Sequence, residues 1–72
     1  MTKVALDAAL LDAHQRHDGA ALVALYAQAA DAAEDLDAAC FYLTHAYVFA
    51  LDTGDTRAGD LRARLVAHGR EE

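Results

Sequence analysis

The chain contains no proline, isoleucine, serine or asparagine. Without serine there is no serine-based mechanism, and without proline or asparagine the usual loop-forming residues are nearly absent. A lone cysteine, Cys40, excludes an internal disulfide and a paired-cysteine motif. Placed beside Phe41 and Leu43 with no base near it in sequence, it reads as a small buried hydrophobe, not as a nucleophile, and it fits a reducing cytoplasm. Basic residues are also scarce: 6 lysines and arginines against 12 aspartates and glutamates leave a formal charge of −6. That balance argues against nucleic acid, whose phosphates require a cationic surface. Long apolar runs are missing too. The most apolar window, Ala38 to Leu51, is interrupted by Thr44 and His45, and it is shorter than the roughly 20 residues that span a bilayer. It is expected to be a buried central helix, with no membrane role. Asp7 and Asp12 fall too early for an export signal, so a cytoplasmic location is expected.

What remains is helix-forming material. Among 72 residues there are 19 alanines and 10 leucines, while strand formers are scattered singly and never alternate. The expectation is one all-α domain over residues 1–72. A chain this short leaves much of its core facing water unless helices pack closely or a second copy covers them, so a homo-oligomer is expected.

Periodicity divides the chain into four segments. In the first, about Lys3 to His17, Val4, Leu6, Leu10, Leu11 and His14 lie near one side, and Thr2 can cap its start. Asp18-Gly19 ends it. The second, about Ala20 to Ala33, carries Leu22, Leu25, Tyr26, Ala29 and Ala33 on one stripe. The acidic group Asp31, Glu34, Asp35 and Asp37 follows. Apolar steps of three and four run unbroken across it, which suits one helix of about 34 residues. Asp35 is nevertheless a good N-cap, and Asp35 and Asp37 suit the positive end of a helix, so a turn near Glu34-Asp35 is preferred. The alternative is three helices with a long central one, completed as a dimer. The third segment, Leu36 to Thr53, is apolar nearly all round and is expected to be covered on more than one side. Gly54-Asp55 ends it; Asp55 or Thr56 can cap a fourth segment that turns Ala58, Leu61, Leu65 and Val66 inward and closes at Gly69.

Charge is segregated along this plan. Residues 18–37 hold five acids and no base, whereas Arg57, Arg62, Arg64 and Arg70 fall on or near the fourth segment with Asp60. Attraction between these regions would orient helices or protomers more than stabilise them. A shift of 36 residues lays Asp18-Gly19 over Gly54-Asp55, Leu22 over Ala58, Leu25 over Leu61 and Ala29 over Leu65. Leu43, Ala46 and Tyr47, followed by Gly54-Asp55 and Ala58, supply a leucine, a small residue, an aromatic and a Gly-Asp turn. In this the chain resembles a pair of degenerate tetratricopeptide-type repeats, each of two antiparallel helices. The stretch between aromatic and turn is longer than in that family, and its frequent closing proline is missing. The resemblance implies binding of peptides or proteins through helix faces and implies no reaction.

Sites with chemistry are few. His14 and His17, three residues apart, could present two imidazoles to one metal, with His45 arriving from another helix as a third ligand. The ordinary role of such a pair is packing for His14 and a helix end for His17. His45 lies among Phe41, Tyr42, Tyr47 and Phe49, where a polar pocket with Tyr42 and Thr44 could hold a small ligand. A core or interface histidine is the commoner outcome. The acidic group lacks the alternating ligands and central glycine of a calcium loop. No catalytic or cofactor-binding residue is assigned and no cofactor is expected. The sequence reads as a non-enzymatic, self-associating interaction module with Tyr42, His45, Tyr47 and Phe49 as its candidate contact face, and with a histidine-based small-molecule or metal-binding domain as the alternative.

Overall fold

A computed structural model describes residues 3–69 as four α-helices: α1 (Lys3–Gln15), α2 (Gly19–Ala32), α3 (Leu36–Thr53) and α4 (Ala58–Ala67). The expected cap at Thr2 and the arginine at position 70 lie outside the described residues. No strand occurs among them.

Local chemistry sets each boundary. The Asp18 carboxylate accepts the Ala21 N–H at 3.1 Å and starts α2. Asp35, with extended backbone, accepts the Ala38 N–H at 2.7 Å and starts α3. The side-chain bond of Asp35 offers the backbone an alternative to continuing the helix, so the break prevails although apolar periodicity runs through it. The long central helix is therefore not formed. Gly54 ends α3 in the left-handed region at φ 69°, where glycine carries no Cβ penalty. Asp55, not Thr56, organises the next start: its carboxylate accepts the Arg57 N–H at 2.8 Å, just ahead of α4. Gly69, at φ 73°, follows the last helix as expected.

The helices pack in chain order, α1 on α2, α2 on α3 and α3 on α4, with the α2–α3 contact the most extensive. Val23 and Ala30 of α2, Cys40, Leu43, Ala46 and Ala50 of α3, and Leu61 and Leu65 of α4 form the buried core. Ala29 and Ala30 of α2 and Ala46 and Ala50 of α3 are small residues among the buried positions of the two helices. The two helices approach closely at Gly19, where an added Cβ would overlap the Thr53 γ-methyl. An ion pair from Arg64 to Asp31 and a 3.2 Å bond from Arg57 to the Ala20 carbonyl join the α4 region to α2.

Sidedness departs from the sequence stripes in four places. On α1 only Leu6 and Ala13 are buried, whereas Val4 and Leu11 face outward. Being flanked by both α1 and α3, α2 buries Val23 and Ala30, which lie off its expected stripe. Val66 of α4 is 41% exposed, because α4 has only α3 to pack on extensively. Most consequentially, α3 is not covered all round: Phe41, Val48 and Leu51 stay 58%, 54% and 58% exposed.

Candidate functional site

Two features of α3 stand out, a ring cluster on one side and an open apolar strip on another. Tyr26, midway along α2, is the hub of the cluster. Its ring stacks on Phe49 with centroids 5.8 Å apart and lies 5.1 Å from His45 and 6.3 Å from Tyr42. Because 42, 45 and 49 are spaced by three and four, one side of α3 delivers all three rings to it. From α1, His14 completes the group: its Nε2 lies 2.9 Å from the Tyr26 hydroxyl and its ring meets the edge of Phe49 at 5.7 Å. Burial, and secondarily Tyr42, pushes the Tyr26 phenol above its ordinary value. Both effects favour the protonated phenol.

His45 is fixed differently. Its Nδ1 lies 2.9 Å from the Phe41 carbonyl, which can only accept, so Nδ1 carries a proton. In the neutral ring Nε2 is then the acceptor. The Phe41 ring sits 4.4 Å from the imidazole.

The four residues expected to share a contact face do not do so. Tyr42, His45 and Phe49 belong to the cluster, half-buried, whereas Tyr47 lies about half a helical turn away. The three histidines do not line one groove. His14 and His17 line a groove of about 190 Å³ with Phe49, Asp52 and Thr53, and His45 is not part of it. Among the described residues no three His, Cys, Asp or Glu side chains form a metal-holding group. His17 adopts φ 54° just past the end of α1, the helix-end position expected of it. Cys40 is buried and unpaired by disulfide, also as expected.

Comparison with family models, with curated proteins and with solved structures yields no match. The surface must therefore be read from its own geometry. No described helix is long and apolar enough to cross a membrane.

The strip was not legible as a site in the sequence. Phe41, Thr44, Val48 and Leu51 follow one another at steps of three, four and three along the outward side of α3. The Thr44 hydroxyl donates to the Cys40 carbonyl at 2.8 Å, so its polar requirement is met within the helix. The available signal was the excess of apolar positions in this segment over what one inward stripe can use.

Proposed function

We propose that the chain is a non-enzymatic helical module that binds a protein partner, a second copy included, through the outward side of α3. The observation that carries this reading is the exposure of Phe41, Val48 and Leu51 in one line on the helix that also supplies the centre of the core. Each has about half its surface or more still to lose, so covering it gives roughly 1 kcal/mol apiece. The resemblance to tetratricopeptide-type helix pairs supports the same role, since such repeats act through helix faces. The ring cluster beside the strip gives it a stiff backing: Phe41 touches both Tyr42 and His45, and both touch Tyr26.

Val48→Glu places a charge in the middle of the strip without touching the core, and exposed substitutions of this kind change stability by only about 0.5 kcal/mol. The wild type and this variant are compared by sedimentation over a wide concentration range and by capture from an extract of the producing cells. Self-association, or a retained protein, that the wild type shows and the variant loses supports the reading. Identical behaviour of the two proteins in both assays overturns it.

A further inference from the structure

We infer that the cleft between the N-terminal ends of α1 and α3 binds a small zwitterion with an apolar body, of the kind provided by an amino acid with a large apolar side chain. Both helices pack on α2, and the space they leave at its C-terminal end measures about 450 Å³. That lies within the range of small-molecule sites, which are mostly apolar cavities with a few convergent polar groups. The apolar surface comes from Leu6 of α1, Ala29 and Ala33 at the end of α2, and Ala38 of α3. Three of these four side chains are a single methyl group. Larger residues there would fill the cleft and add apolar burial to a core that is small to begin with.

Tyr42 forms one wall. Its ring lies 6.3 Å from Tyr26 and meets Phe41 in an edge arrangement at 5.7 Å, so the wall is in place before anything binds, which lowers the ordering cost of a ligand. The Tyr42 hydroxyl makes no hydrogen bond among the described residues and remains available as a polar handle.

Charge identifies the ligand. Lys3, in the first turn of α1, and Glu34, in the α2–α3 turn, both line the cleft. Neither forms an ion pair among the described residues. Every described arginine, by contrast, is engaged: Arg16, Arg57 and Arg64 pair with aspartates, and Arg62 has an interaction of its own. In a chain with 12 acids and 6 bases, an ammonium without a partner is the exception. Lys3 thus offers a charge for a carboxylate and Glu34 a charge for an ammonium. A ligand that carries both matches both. A plain anion would face Glu34 and a plain cation Lys3, and such like-charge encounters select against either.

The test is an NMR titration of the isotope-labelled full chain with phenylalanine and leucine, and with phenylpropionate and phenethylamine as analogues that keep one charge each. Phenylalanine or leucine should shift the amides of residues 29–38 and of the first turn of α1 saturably. Each single-charge analogue should bind severalfold more weakly than phenylalanine, a modest factor because exposed charges are well solvated. Lys3→Gln should bring phenylalanine down to the level of phenethylamine, and Glu34→Gln down to that of phenylpropionate. Ala32→Phe, at an exposed position lining the cleft, should block every ligand with helical circular dichroism unchanged. If that variant disturbs the fold, the two charge variants decide alone. The inference is overturned by the absence of saturable shifts with phenylalanine and leucine up to their solubility, by equal binding of phenylalanine and its analogues, or by shifts that a folded Ala32→Phe leaves in place. The cleft shares no residue with the outward strip of α3, so each of these results leaves the interaction reading to its own test.

Discussion

Gly19 and Gly59 both stand in the first turn of a helix, and a methyl group has opposite consequences at the two positions. Replacing a helical glycine by alanine ordinarily stabilises by up to about 1 kcal/mol. At Gly59 the added Cβ meets nothing within 4 Å, so Gly59→Ala should raise the melting temperature by a few degrees. At Gly19 it overlaps the γ-methyl of Thr53, whose hydroxyl is held by the Phe49 carbonyl at 2.9 Å. Overpacking of that kind costs about 1–3 kcal/mol and exceeds the helix gain. Thermal denaturation should show Gly19→Ala melting below the wild type and Thr53→Ala relieving most of the loss. Asp55 makes a second prediction at this scale. Hydrogen bonds from the Arg57 side chain and backbone hold its carboxyl at about 2, below the ordinary 3.8. A lowered folded-state value means a contribution present above 3.8 and lost as pH falls toward 2. The stability difference between wild type and Asp55→Asn should therefore be constant near neutrality and narrow over that acid window.

Among the elements, α1 is the least secured. It buries only Leu6 and Ala13, contributes nothing to the main core, and is tied at its C-terminal end by the His14–Tyr26 bond. Hydrogen exchange should find α1 opening at lower free energy than α2 and α3, and His14→Ala should widen the gap; uniform protection across all four helices would contradict this. The α2–α3 turn depends on Asp35. Asp35→Ala should cost about 1 kcal/mol, or roughly 4–8 °C in melting temperature for a domain of this size. The helix boundaries at Asp18, Asp35 and Gly54 could be read from sequence because a cap acts within three or four residues of itself. The outward turn of Val4, Leu11, Val66 and Phe41 could not. Their sides depend on how many neighbours a helix has, and periodicity along one helix carries no record of that. Tyr26 likewise fell on the expected stripe of α2, but its meeting with Tyr42, His45 and Phe49 required the tertiary arrangement.

At the scale of the whole molecule, four short helices enclose a core built largely of alanine and leucine, and Phe41, Val48 and Leu51 of its central element remain exposed. The small size accounts for this in part, since too few helices are present to surround α3. The central claim is that this side of α3 becomes covered when the protein works. Cys40 is buried, so a thiol introduced by Val48→Cys would report on the strip, and one introduced by Val4→Cys, at a position 79% exposed on α1, would serve as the reference. The direct measurement is the labelling rate of each thiol in dilute purified protein and in an extract of the producing cells. The account predicts labelling at position 48 to slow at least severalfold in the extract while labelling at position 4 does not. Equal slowing at both positions, or none at either, would contradict it.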